Sequence, residues 1–536
     1  MLIILIPADV FSPASKTFFV SIALIGIWRY SWWSVQAIRA FIYTRIRFPQ
    51  YRQIAEREPA ETIDCVFALV TSYKIHPDIS WAVYEALLRE VVEYGRPAVI
   101  VASVTDRADV KLLHRLAVHL NLPERVELVV MFQDGTGKRP AMAEALRAIS
   151  RRMPSRNSVC ILMDGDCRLT PGTLRKTLPF FRMMPDVGAV TVDNRGITTG
   201  GNWAREWYDL RFAQRHLVMS SLALSRRLLV LTGRFSVFRA QLTTHPTFIA
   251  QLECDEVEHW RFGRFRFLSG DDKSTWYWLL KHGWRMLYVP DARVDSFEQL
   301  PRPAFVAGTT ALMKRWFGNM LRANGRALRL GPGRVGGFMW WALLDQRISM
   351  WTSLVGPVAA IMLAITYRST FLLAYALWIL TTRTILAGGL AIVSGRFSPY
   401  WPPLLFFNQL VGALIKIYVS FRLNQQSWIR QNISTGSTGN RFRDAAQRIG
   451  NVSLHATAMG CFLIAMAFYT GVLTLPDRMV FQSAWNGGDN GAGNDRAQLP
   501  VMPYGAIVQT LPGDTQLQPS SLPADGLGRL DRDPIL

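Results

Sequence analysis

The run Val159-Cys-Ile-Leu-Met-Asp164-Gly-Asp166-Cys-Arg168 constrains this chain more than any other. Its apolar residues have the length of a buried strand, and two carboxylates flanking a glycine end it abruptly. Open α/β sheets bind ligands outside the carboxyl ends of their strands, which is where these acids stand. A pair spaced by one small residue can share a hard, oxygen-loving cation, so Mg²⁺ or Mn²⁺ on a diphosphate is the functional reading. The plain reading is an acidic turn after a strand.

The neighbouring sequence supports a mostly parallel sheet. Between about Cys65 and Asp291, strand-length runs at Cys65–Thr71, Ala98–Val104, Val126–Phe132, Val159–Met163, Gly188–Val192 and Met286–Val289 alternate with helical patterns. The helices are expected at Ser80–Glu93, Ala108–Leu120, Ala141–Arg151 and Thr173–Phe181. Asp106 follows the second strand, and Gly135-Thr-Gly137-Lys138-Arg139 precedes a helix. Glycines there let backbone approach a phosphate, and the cations offset its charge, although basic glycine turns are also common on surfaces.

A second acidic strand end follows about a hundred residues later, at Phe267-Leu-Ser-Gly270-Asp271-Asp272-Lys273. If one acidic pair holds a metal, the other can supply a general base, because neighbouring carboxylates and burial raise the pKa of one member. Further on, Lys314-Arg315-Trp316 lies on an amphipathic pattern. An arginine clamps a diphosphate bidentately and a tryptophan stacks on a sugar ring, while the bland alternative is an interfacial anchor pair.

Composition adds a membrane. Half of the 536 residues are hydrophobic, with 18 Trp and 29 Phe. The first long apolar run, about 18–38, is followed by Arg39, Arg45, Arg47 and Arg52, which places the next domain in the cytoplasm. Met1–Pro7 is too short to span or to act as a signal peptide, which leaves room for a longer start upstream. Further spans are expected at about 349–366, 371–393 and 456–475. The run 404–421, with Asn408, Gln409 and Lys416, reads as interfacial, so that the basic loop 422–455 stays cytoplasmic. The domains expected are thus 1–44 (membrane segment), 45–300 (catalytic), 301–348 (interfacial helices), 349–475 (membrane region) and 476–536 (disordered periplasmic tail). The net charge of +21 is scattered among apolar segments rather than gathered in a tail, which disfavours nucleic acid as a partner. The five cysteines show no metal spacing.

The series Asp106, Gly137-Lys138-Arg139, Asp164-Gly-Asp166, Gly270-Asp271-Asp272 and Arg315-Trp316 resembles the processive family 2 glycosyltransferases, the cellulose, chitin and hyaluronan synthases. More closely, Arg211-Phe-Ala-Gln-Arg-His216, Thr232-Gly-Arg-Phe-Ser-Val-Phe-Arg239, Ser269-Gly-Asp-Asp-Lys-Ser274, Arg315-Trp-Phe-Gly-Asn319 and Asp345-Gln-Arg-Ile-Ser-Met-Trp351 resemble the catalytic subunits of bacterial alginate polymerases. The likeness runs from about residue 8 to 475.

That resemblance implies a GT-A type nucleotide-sugar-binding mixed sheet between transmembrane and interfacial helices of the bacterial inner membrane. It also implies an enzyme that transfers mannuronate from GDP-mannuronate to a β-1,4-linked chain with inversion, and exports the polymer. Asp106, Lys138, Arg139, Asp164 and Arg315 would contact the nucleotide sugar, and Asp164 with Asp166 the Mg²⁺. Asp272, beside Asp271, would be the base, and Trp316 would meet the acceptor. Implied partners are a cyclic-di-GMP-binding co-polymerase subunit, periplasmic export proteins and the nascent polyuronate, with no nucleic acid. Arg234 stands where related synthases have proline, so it is expected to read an acceptor carboxylate or else to pair with Asp255 or Glu256. Leu312 replaces a family glutamine, and no glutamine role is carried over. The rival readings are a UDP-sugar-dependent synthase of another β-linked polysaccharide and a non-catalytic scaffold of a secretion complex.

Overall fold

The computed structural model describes residues 13–59, 62–135, 137–428, 433–435 and 441–473. The expected tail 476–536 and Met1–Pro7 lie outside the described residues. One mixed sheet of eight strands organises the catalytic part, in the order β3-β2-β1-β4-β7-β6-β10-β5. The strands are β1 (Val66–Thr71), β2 (Ala98–Val104), β3 (Val126–Phe132), β4 (Val159–Asp164), β5 (Cys167–Leu169), β6 (Val187–Thr198) and β7 (Phe235–Arg239), with β10 (Arg285–Glu298) next to last. A separate hairpin joins β8 (Glu256–His259) to β9 (Gly263–Arg266).

The four strands β3, β2, β1 and β4 run parallel, and β7 then enters antiparallel between β4 and β6. All six strand expectations are met. The parallel half is apolar on both faces, with Ala68, Leu69, Val70, Ile100, Val101, Ile161 and Leu162 buried, because helices cover both sides. Register matters here: Thr71 pairs with Asp164, so β1 and β4 end together, and Gly165 N–H donates to Thr71 O at 2.9 Å. A Cβ at Gly165 would stand 2.1 Å from Ser72 Oγ. Only glycine lets the two acids of the Asp164-Gly-Asp166 turn follow the strand so closely.

The amino-terminal helix Pro13–Ile42 contains the run expected to span. It passes through a π-turn at Tyr43–Arg47 into Phe48–Ala55, and buried Tyr43 donates to Tyr288 O at 2.6 Å. Arg29 on this helix pairs with Asp345 at 2.6 Å, and Arg383 further along the chain hydrogen-bonds Gln409.

Four described helices are long and apolar enough to cross a membrane: Gly337–Thr366, Thr370–Ser394, Trp401–Ser420 and Arg441–Tyr469. The third is the run read from sequence as interfacial. Length and composition group it with the other three, yet both of its ends rest on the catalytic part. Near its start, Tyr400 meets Trp203 edge-on and Phe407 packs on Phe305. Just past its end, Leu423 O accepts from Arg322 at 2.9 Å, and Gln426 Nε2 donates to Arg266 O at 2.7 Å. The helix therefore runs alongside Phe305–Arg329 for its whole length. The start of Arg441–Tyr469 takes in the last part of the expected basic loop, which is helical there.

Candidate active site

Three elements deliver charge to one point. Strand β4 ends on Asp164, helix Lys138–Ser150 begins with Lys138 after Gly137, and helix Asp271–Lys281 begins with the acid pair after Gly270 at φ +87°. The Lys138 ammonium lies 2.6 Å from Asp164 Oδ1 and 2.7 Å from Asp271 Oδ2. The two acidic strand ends seen in sequence are thus one site, held together by a single cation. Gly233 closes over them: a Cβ there would be 3.3 Å from Asp164 Oδ2 and 3.5 Å from Lys138 Nζ. The loop Thr232-Gly233-Arg234 accordingly covers the site with backbone.

The remaining expected residues divide. Asp106 caps helix Arg107–His119, accepting from Ala108 N–H at 2.8 Å, at the carboxyl end of β2. Arg139 is buried and braces the segment below the acid pair, donating to Leu252 O at 2.8 Å, Ser274 Oγ at 3.0 Å and Ser269 O at 3.2 Å. Its neighbour Lys138 therefore faces the cleft while Arg139 supports the wall. Asp166 follows the β4 turn, where its carbonyl accepts from Phe297 N–H at 2.9 Å.

Arg234 is not paired with Asp255 or Glu256. Asp255 takes Arg326 at 2.6 Å, and the Arg234 fork instead meets Glu298, with Nε also donating to Ser296 Oγ at 2.9 Å. Trp316 stacks on buried Trp207 with ring centres 5.7 Å apart at 8°, and Trp207 Nε1 in turn donates to Asn408 at 2.7 Å. Sequence reasoning assigned no role to Trp207, Arg211 or Glu298, since their partners at the site, Trp316 and Arg234, lie far along the chain. Arg315 lines a cavity of about 500 Å³ together with Ser269, Lys314, Arg322, Arg422 and Arg448, against Asp444. Such a wall suits an anionic ligand.

Residues 64–319 match the family described as "Glycosyltransferase like family 2". The chain is 44% identical to glycosyltransferase alg8 of Pseudomonas syringae pv. tomato over 428 residues, 80% of this chain and 87% of that protein. It is 42% identical to glycosyltransferase alg8 of Azotobacter vinelandii over 433 residues, with the same two shares. The chain belongs to the alg8 glycosyltransferases of family 2. Among solved structures, a mannosyltransferase from Pyrobaculum calidifontis in complex with GDP-Man and Mn²⁺ covers 71% of this chain and 98% of its own. It is 18% identical with a TM-score of 0.39. The expected glycosyltransferase fold and activity class both hold.

In this glycosyltransferase the site's electrostatics separate the acids. Burial raises the Asp272 carboxyl, and the Asp271 charge beside it raises it further. Burial acts on Asp271 in the same direction, but the Lys138 ammonium outweighs it and holds that carboxyl below its ordinary value. Asp164 is raised, first by burial and then by Asp166 and Asp271, against the pull of Lys138. Neighbouring acids that differ in this way suit different tasks. Lys273, the next residue, is pushed down to about 8 by burial while its ammonium donates to Leu229 O at 2.6 Å.

Among the described residues no three His, Cys, Asp or Glu side chains converge as a metal cage. A nucleotide-sugar Mg²⁺ needs less, since one or two carboxylates and the substrate phosphates complete its shell. Asp164 and Asp166, close enough for one charge to raise the other's pKa, fit that requirement.

Proposed function

We propose that this glycosyltransferase polymerises mannuronate from GDP-mannuronate into a β-1,4-linked chain and passes the product across the inner membrane. The observation that carries the reading is the Lys138 bridge, which holds the acid at the β4 end beside the acid pair of Asp271 and Asp272. Donor and acceptor chemistry need such adjacency. The 42–44% identity to two glycosyltransferases named alg8, and the motifs resembling alginate polymerase subunits, support the choice of sugar.

In this reading Asp164 and Asp166 hold Mg²⁺ or Mn²⁺, which when bound offsets the charge of the leaving diphosphate. Asp106 and Lys138 lie towards the nucleotide sugar, with Arg139 as the brace behind them. The acceptor hydroxyl forms its bond to the anomeric carbon as the bond from that carbon to GDP breaks, and its proton goes to Asp272. One base suffices, and the single displacement inverts the anomeric centre. The raised Asp272 carboxyl has moved towards the range where it both accepts and releases a proton. Arg315, on the wall of the basic cavity that Ser269 also lines, stabilises departing GDP. Trp316 offers an aromatic surface to the acceptor.

Helix Trp401–Ser420 is read as lying along the membrane face, a reading supported by contacts to the catalytic part near its start and just past its end. In this reading the following basic residues stay with the cytoplasmic domain. A cyclic-di-GMP-binding co-polymerase and periplasmic export proteins would complete the machine. Purified membranes supplied with GDP-mannuronate and Mg²⁺ test the reading: it expects GDP release with polymer formation, and incorporation from UDP-sugars instead would refute it.

A further inference from the structure

Two cations beside the acceptor platform have no task in the reaction just described. Arg211 comes from helix Asn202–Ala223 and Lys416 from Trp401–Ser420. The Arg211 guanidinium lies 4.5 Å from the ring centre of Trp316 and 5.1 Å from that of Trp207, alongside the stacked pair. Lys416 Nζ lies 4.9 Å from the ring centre of Phe317, the next residue of the same helix. Their charges are close enough to act on each other.

The surrounding cations are engaged elsewhere. Arg234 has Glu298, Arg29 has Asp345 and Arg383 has Gln409. The acids whose charges act on Arg211 and Lys416 are those same Glu298 and Asp345, already committed to other arginines. Among the described residues neither Arg211 nor Lys416 makes a hydrogen bond or a contact ion pair, and the close contacts of each are with aromatic rings. Burial, with Arg234 adding to it, pushes the Arg211 guanidinium down to about 10. Two partly desolvated like charges with no counterion are costly, and an arriving anion relieves both the desolvation and the repulsion. A sugar ring laid on the aromatic surface brings its substituents to the cations beside it. A neutral hexose brings none that compensates; a uronate brings a carboxylate, which a guanidinium holds with two parallel hydrogen bonds.

We propose that Arg211 and Lys416 form a carboxylate-reading site beside Trp316 and Phe317, which holds uronate units of the growing chain as they leave the cleft. The site rests on the polymannuronate reading and deepens it, by naming the groups that distinguish a uronate acceptor from a neutral one. It also separates two arginines: Arg234 is braced by Glu298, and Arg211 meets the polymer.

The test is oligosaccharide binding to the full-length protein in detergent, by titration calorimetry, with a mannuronate hexamer and the same hexamer carboxyl-reduced to neutral mannose units. GDP affinity is measured in parallel as a check on folding. The parent protein should bind the charged hexamer about tenfold or more tighter than the neutral one. Arg211→Gln should remove most of that preference with GDP affinity unchanged, Arg211→Lys should restore part of it, and Lys416→Gln should weaken it. Should Arg211→Gln lose GDP binding through misfolding, Arg211→Lys and Lys416→Gln decide. Full preference retained in the folded variants overturns the site alone. A parent protein that binds the neutral hexamer as well as the charged one overturns the polyuronate reading beneath it.

Discussion

Lys138 lies 2.7 Å from Asp271, 133 residues further along the chain, and the same ammonium is 2.6 Å from Asp164. One cation therefore sets the spacing of acids that would otherwise repel. Removing it leaves two carboxylates facing each other in a partly dry cleft. Lys138→Met is expected to lower turnover at least a hundredfold and to weaken GDP binding, because Asp164 loses its neighbour on the donor side. Steady-state GDP release and GDP calorimetry on the same preparation check this; a variant within threefold of the parent in both shows the bridge to be incidental.

The acids should also separate in their effects. Asp166→Ala is expected to weaken nucleotide-sugar and metal binding, whereas Asp272→Asn should leave GDP affinity nearly intact and remove turnover. Equal loss of GDP affinity in both variants contradicts the division of labour.

Chelation gives an independent reading of the same point. EDTA treatment should abolish GDP release, and added Mg²⁺ or Mn²⁺ should restore it in the parent but only at much higher concentration in Asp166→Ala. Undiminished activity after exhaustive chelation removes the metal from the account.

Arg234 and Glu298 should behave as a unit. The pair is held from two sides, by Ser296 and by Phe212, whose ring centre lies 5.3 Å from the guanidinium. Arg234→Ala and Glu298→Ala are each expected to destabilise the protein, and the double variant by less than their sum, with a coupling of about 0.5–3 kcal/mol in thermal unfolding. Strict additivity shows that the arginine works independently of Glu298, as a direct acceptor contact would.

Gly165 offers a purely steric test. A methyl group there meets Ser72 Oγ at 2.1 Å and Thr71 O at 3.0 Å, and Ser72 is held by Tyr84 at 3.2 Å. Gly165→Ala should cost about 1–3 kcal/mol and displace the acids, and adding Ser72→Ala should recover part of both. Thermal unfolding of the single and double variants measures this.

Much of the sheet was legible because its parallel strands are buried on both faces and read as continuous apolar runs. Strand β7 was not: Phe235-Ser-Val-Phe-Arg239 mixes Ser236 and Arg239 into a run already read as an acceptor motif. Helix Asn202–Ala223 was missed for another reason. It packs against the sheet on one side and the apolar helices on the other, so Glu206, Trp207, Asp209 and Arg211 interleave with no single apolar stripe. At the site, the acids were visible as strand ends, since that is a local pattern. Their shared cation was not, because Lys138 reads locally as a phosphate ligand and its partners are 26 and 133 residues away. Arg234 shows the same limit: Asp255 and Glu256 are the nearer acids in sequence, but the β6–β10 pairing brings Glu298 to it instead.

The central claim is that a single buried acid, Asp272, takes the acceptor proton in transfer from GDP-mannuronate. The most direct measurement follows radiolabelled mannuronate from its GDP donor into polymer, in membranes holding the parent protein or Asp272→Asn, with GDP binding determined on both. The account predicts labelled polymer from the parent, none from the variant, and matched GDP affinities. Polymer made at the parental rate by Asp272→Asn would contradict it.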